Sequence, residues 1–68
     1  MLDWTPLQSS NIAACAYDDA TSTLHVRFHS GRTYQLSNVS RETYEGLRDA
    51  SSPGAYYNSE LKGRYPGG

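Results

Sequence analysis

The sequence predicts an α+β domain, a three-stranded antiparallel β-meander followed by two short α-helices packed on one face. Three observations carry that reading. Thr23 to His29 alternates apolar with polar side chains, the period of a half-buried strand. The turn-forming runs Asp18-Asp19-Ala20-Thr21-Ser22 and Ser30-Gly31-Arg32 separate this stretch from a neighbour of strand character on each side. The second half then twice places a serine, Ser40 and Ser52, ahead of a stretch with helical spacing.

Each element follows from its own residues. Residues 1–10 read as an extended arm, because Pro6 biases Thr5 away from helix, with Trp4 and Leu7 tacking the arm onto the body. The sheet is expected over residues 11–36. In the first strand, Asn11 to Tyr17, strict alternation places Ile12, Ala14 and Ala16 on the inner face and Ala13, Cys15 and Tyr17 on the outer one. In the second, Leu24, Val26 and Phe28 face inward while His25, Arg27 and His29 face water. Gly31 supplies the positive φ of the next turn. The third strand, Thr33 to Leu36, turns Tyr34 and Leu36 inward and Thr33 and Gln35 outward.

One apolar sheet face demands a cover, and the helices over about 40–50 and 52–62 supply it. Ser40 caps the first, Glu42 complements its dipole, and Val39 and Tyr44 are placed to form a hydrophobic staple. Tyr44, Leu47 and Ala50 form its apolar stripe. Ser52 caps the second helix, with Pro53 at the first helical position, where a missing N–H costs nothing. Tyr57 and Leu61 lie one turn apart, and Gly63 suits the C-terminal cap. The tail 63–68 is expected to be ordered to about Tyr65 and frayed beyond it. The expected core is Ile12, Ala14, Ala16, Leu24, Val26, Phe28, Tyr34, Leu36, Val39, Tyr44, Leu47, Tyr57 and Leu61.

Size and charge bound the function. Sixty-eight residues make one small domain or a fragment of one, without room for a deep cleft. A formal net charge of −1 excludes a strongly basic nucleic-acid tail, and no segment has the length and apolarity of a membrane span. The mean hydropathy of −0.70 understates the core, because six of the eight aromatic residues are tyrosines, polar on that scale yet large when buried. Cys15 is the single cysteine, so neither an internal disulfide nor a Cys-rich zinc framework can form, and a reducing cytoplasm fits. The N-terminus lacks the basic and apolar regions of a secretory signal. All six basic residues lie from Arg27 onward, a bias in the charge rather than a basic patch.

The order of landmarks resembles the KTSC domain. Ser9-Ser10-Asn11-Ile12, Tyr17-Asp18, the strand Leu24-His25-Val26-Arg27-Phe28, then Gly31 and Thr33-Tyr34 carry the first half of the likeness. Val39, Tyr44, Leu47, Ala50, Ser52, Gly54, Tyr56-Tyr57-Asn58, Leu61-Lys62 and Tyr65 carry the second, so the resemblance runs from about Ser9 to Tyr65. The family is a short domain found alone in bacterial and phage proteins and at the C-terminus of some lysyl-tRNA synthetases. It has no established biochemical role; RNA binding is suggested by the synthetase fusion, which is an analogy. Two departures stand out: the family's central Tyr-x-Tyr is Tyr34-Gln35-Leu36 here, and the usual Val-Pro entering the first helix is Val39-Ser40.

The leading candidate site is the outer sheet face, Tyr17, His25, Arg27, His29 and Gln35, where rings and a guanidinium can stack on bases and bond their edges. An ordinary hydrated face is the plain alternative. The second candidate is Lys62, Arg64 and Tyr65, joined by Arg32 or Arg48, weighed against simple helix-terminus chemistry for Lys62 and a lid role for Tyr65. His25 and His29 would stand about 13 Å apart on a strand, too far to share a metal ion. Cys15 with His25 lacks a pocket and an orienting group, no phosphate or dinucleotide fingerprint exists, and no catalytic residue is assigned. Asn58 is expected to be buried against backbone near the arm, and Gly54 to permit close helix packing. The reading is a non-catalytic, monomeric module without cofactor or membrane partner. It binds RNA or single-stranded nucleic acid or, alternatively, a protein partner such as a host or phage factor through the same surface.

Overall fold

The computed structural model describes residues 2–65. Its sheet has four strands and not three: β1 (Thr5–Pro6), β2 (Ile12–Asp18), β3 (Thr23–Phe28) and β4 (Thr33–Leu36), all antiparallel and in chain order. The added strand comes from the arm, where Thr5 pairs with Cys15 and Pro6 with Ala14. Proline is tolerated there because β1 is a sheet edge, where one N–H faces away from the ladder. Ser9 then closes the turn into β2, its Oγ accepting from the amides of Asn11 and Ile12 at 3.1 Å each.

The facing of β2 departs from strict alternation. Ile12 pairs with Phe28, but Ala14 and not Ala13 pairs with Arg27, so a β-bulge sits at Ala13. An extra residue in one strand reverses the phase of everything after it. Cys15 and Tyr17, opposite Val26 and Leu24, therefore face the helices. Ala14 and Ala16, expected in the core, sit on the far face with Arg27 and His25. Cys15 enters the cluster under the helices beside Ile12, Leu24, Val26, Leu36, Val39, Tyr44, Leu47, Tyr57 and Leu61, while Ala16 is buried as expected but on the other face. Phe28 and Tyr34 are half-buried at the rim rather than enclosed.

Helix α1 (Arg41–Asp49) starts as its sequence predicts, with the Ser40 Oγ accepting from the Thr43 amide at 3.2 Å. The second helical segment is less regular. α2 (Pro53–Tyr56) begins at Pro53 but Ser52 makes no side-chain cap bond, and the chain continues as a π-helical turn over Tyr57–Leu61. There the Lys62 amide donates to the Tyr57 carbonyl at 2.8 Å, and Gly63 follows with φ +74°. Both segments lie on the apolar face. Tyr56 reaches back over α1 at Gly46, its hydroxyl donating to the Thr43 carbonyl at 3.3 Å. Gly54 packs not on a helix but on the arm: a Cβ there would meet Asn11 Nδ2 at 3.3 Å and Ser9 Oγ at 3.6 Å. The expected fraying beyond Tyr65 lies outside the described residues. Among the described residues no helix is long and apolar enough to cross a membrane.

Candidate nucleic-acid interface

The pleat of β3 decides which outer-face residues meet. His25 pairs with Gln35 and Arg27 with Thr33, so these four side chains form a block on the face away from the helices. Tyr17 is not among them. The bulge turns it under the helices, where its ring stacks on Tyr44 at 5.2 Å and 13° and its hydroxyl donates to the Val39 carbonyl at 2.6 Å. That ring is a structural strut between sheet and α1. His29, past the end of β3, is exposed and bonds the Ser9 carbonyl through Nε2 at 2.8 Å, fastening the arm to the hairpin.

Trp4, read from sequence only as an anchor of the arm, belongs to the outer face. The register that pairs Thr5 with Cys15 brings Trp4 level with Ala16, and the small side chains of Ala14 and Ala16 leave room for an indole. The Arg27 guanidinium lies 4.2 Å from the Trp4 ring centroid, and His25 meets the indole edge-on at 6.2 Å. Ala16 is fully buried although it faces away from the helices. The outer face is therefore partly closed by the chain's own aromatic, with Arg27 and Gln35 its exposed members and His25 half-covered.

A second surface lies beneath the β3–β4 turn. Gly31, at φ +97°, completes that turn, with the Gly31 amide on the Phe28 carbonyl and the Phe28 amide on the Arg32 carbonyl at 2.9 and 2.8 Å. Under it is an open pocket of about 350 Å³ lined by Phe28, Ser30, Arg32, Tyr34, Tyr57, Asn58 and Lys62. Its rings form an edge-to-face cluster, Phe28 on Tyr34 at 5.5 Å and on Tyr57 at 5.2 Å. Burial raises the Tyr57 phenol above its ordinary pKa, with Tyr34 a smaller cause in the same direction. Asn58, expected to be buried, is exposed at the rim, since Tyr57 and Leu61 occupy the inward face of their turn. Of the C-terminal cluster, Lys62 reaches the pocket, Arg64 is exposed two residues further on, and Tyr65 is half-buried against the core. Arg48 does not join them: it pairs with Asp49 at 2.9 Å and lies over Tyr44.

Charge is sorted along the sheet. Arg41 is held by Asp19 and Glu45, and Arg48 by Asp49. Among the described residues Arg27, Arg32, Lys62 and Arg64 make no ion pair. Arg27 and Arg32 flank the β3–β4 turn and Lys62 faces it across the pocket. Asp3, Asp18 and Asp19 gather at the opposite end of the strands, around a second cavity with Tyr17. The length of β3, roughly 17 Å at about 3.3 Å per residue, separates the two ends.

Cys15 and His25 do not form a nucleophile–base pair, since they point to opposite faces of the sheet. Burial pushes the Cys15 thiol up to about 11, far from the range of a reactive thiolate.

Fold and surface define a small α+β domain: an antiparallel meander with a two-part helical cover, and unpaired cations beside an aromatic pocket at one end. The chain belongs to the KTSC domain family, whose model matches residues 8–65. It is 38% identical over 60 residues to a protein of Tsukamurella paurometabola, covering 88% of this chain and 90% of that one. It is 33% identical over 58 residues to the lysine–tRNA ligase of Nostoc punctiforme, covering 85% of this chain but 10% of the ligase. A crystal structure of a KTSC domain protein from Yersinia pestis superposes with a TM-score of 0.91 at 26% identity, over 96% of this chain and 92% of that one.

Proposed function

We propose that this domain is a non-catalytic binding module for single-stranded nucleic acid, RNA foremost, which it engages at the β3–β4 turn end of the sheet. The observation that carries this reading is the sorting of charge: Arg32 and Lys62, without an ion pair among the described residues, stand beside the rings of Phe28, Tyr34 and Tyr57, with Arg27 on the outer face of the same end and Asp3, Asp18 and Asp19 at the other end. Cations grip phosphates and ring edges or faces receive bases, so the pairing suits a strand whose bases are splayed. The ligase relative adds support by analogy, because a domain of this kind lies within an enzyme that handles RNA. A lone buried cysteine suits the reducing cytoplasm, where such a partner is found.

Three or four phosphate contacts imply modest affinity and a slope of roughly −2 to −3 in log K against log salt for a single strand. An amide NMR titration with a mixed-sequence RNA of about fifteen nucleotides, at low and at physiological salt, tests this. Shifts at Arg27, Arg32, Gln35, Lys62 and Arg64 that fade with salt are expected. Silence at low salt overturns the reading. One observation favours a protein partner instead: the outer edge of β4 pairs with no strand among the described residues and is open to strand addition. Binding that ignores salt and broadens the β4 amides would point there.

A further inference from the structure

We propose that the pocket beneath the β3–β4 turn seats a single nucleotide unit, its base against the aromatic floor and its phosphate between Arg32 and Lys62; this rests on the nucleic-acid reading and gives it a specific site. The pocket's chemistry is divided in the way such a ligand requires. The floor is Phe28, Tyr34 and Tyr57, held edge-to-face by the contacts at 5.5 and 5.2 Å, so the rings are set before any ligand arrives. The rim carries two cations and no acidic side chain. Neither cation is spent in an ion pair among the described residues. Ser30 and the exposed amide of Asn58 add a donor–acceptor pair suited to a base edge or a sugar hydroxyl.

Size and backbone agree with this assignment. A volume of about 350 Å³ is at the small end of ligand pockets, roughly 300–1,000 Å³, which suits one nucleotide and not a folded segment. The wall is a π-helical turn, a rare conformation that recurs at functional sites. On this turn Tyr57 and Leu61 lie in the core while Asn58 and Lys62 stand together at the opening. The Lys62 amide closes this turn on the Tyr57 carbonyl at 2.8 Å, which fixes the backbone that carries both Asn58 and Lys62.

The same chemistry is offered by a free mononucleotide and by one residue of an RNA strand, and the test separates them. Labelled protein is titrated with adenosine 5′-monophosphate and cytidine 5′-monophosphate, with the matching nucleosides, with inorganic phosphate, and with the fifteen-nucleotide RNA. Shifts at Ser30, Arg32, Tyr34, Asn58 and Lys62 with mononucleotides are expected. The affinity should be roughly tenfold weaker for the nucleosides and in R32Q or K62Q, the loss of one charged contact. Both residues are exposed, so the rest of each variant's spectrum should stay in place. Pocket shifts with RNA alone also support the site and identify a strand as the source. Phosphate that binds as tightly as the mononucleotides overturns it, because the floor then contributes nothing. RNA shifts confined to His25, Arg27 and Gln35 overturn the pocket while leaving nucleic-acid binding intact, and silence from every probe overturns both.

Discussion

Gly46 sits inside α1, where glycine ordinarily costs about 1 kcal/mol relative to alanine, so replacing it should stabilise the domain if helix propensity decides the outcome. The structure reverses that sign. A Cβ at Gly46 would meet Cζ of Tyr56 at 2.8 Å and Cε2 at 3.1 Å, with the hydroxyl nearer still. Carbon contacts relax to about 3.5–4.0 Å, so the ring must retreat by roughly 1 Å. Its 3.3 Å bond to the Thr43 carbonyl goes with it. Tyr56 is half-buried and tips α2 onto α1, and overpacking of this kind costs about 1–3 kcal/mol. Set against the propensity gain, Gly46→Ala should destabilise by about 1 kcal/mol, a fall of roughly 4–8 °C in melting temperature for a domain of this size. Thermal and urea unfolding by circular dichroism measure it. The decisive arm is the same substitution in a Tyr56→Ala background, where the obstacle is gone and Gly46→Ala should stabilise by about 1 kcal/mol. A rise in stability for the single variant, or the same effect in both backgrounds, would refute the steric argument.

Tyr17→Phe removes the 2.6 Å bond to the Val39 carbonyl without touching the stacked ring, and should cost about 1–2 kcal/mol in urea unfolding. Ser40→Ala deletes the cap on the Thr43 amide and should cost about 1 kcal/mol in the same assay. Cys15 should resist alkylation in the folded domain at pH 8 and react at once in urea, since its thiol is fully buried. Folding raises that thiol from 9.0 to about 11, so the neutral form is the one the fold favours. Its contribution to stability is full below pH 9 and disappears as pH rises toward 11, a direction shared by the raised Tyr56 and Tyr57. Cys15→Ala should flatten that alkaline decline, which unfolding curves between pH 8 and 11 can follow.

Most of the architecture was legible because it rests on local signals. The alternation of Thr23–Phe28, the glycine at the hairpin and the Ser40 cap each act within a few residues, and each lies where the sequence predicts. What was not legible depends on partners. Alternation in Ile12–Asp18 carries no mark of the bulge at Ala13, because its alanines and cysteine are small enough for either face. The shift that buries Cys15 and Tyr17 is decided by what β3 offers across the ladder: Val26 and Leu24 require an apolar neighbour, and Arg27 does not. β1 was hidden for a similar reason. Two residues with a proline have no strand signature, and their pairing is supported from outside the strand, by Trp4 against Arg27 and His25 and by Ser9 against His29. Asn58 is exposed because Tyr57 and Leu61 take the inward face of their turn, and the residue next to Tyr57 falls off that face whichever way the turn is wound.

These corrections change which surface carries the functional argument. The outer face loses Tyr17 to the core and gives His25 and Arg27 to Trp4, so part of its aromatic and cationic character already serves to hold the arm. The β3–β4 end gains what the other face loses: three ring edges, two cations without a carboxylate partner among the described residues, and an exposed amide. A net charge of −1 conceals this, because Asp19, Glu45 and Asp49 hold Arg41 and Arg48, and Asp3 and Asp18 stand at the far end of the sheet, with Glu60 the acidic side chain on the turn that carries Asn58. Separation by roughly 17 Å exceeds the screening length of about 8 Å at physiological salt, so each end presents its own sign to a ligand. On the proposed reading an anionic strand should be drawn to the turn end and repelled from the other, an orientation that depends on the arrangement of charge rather than its sum.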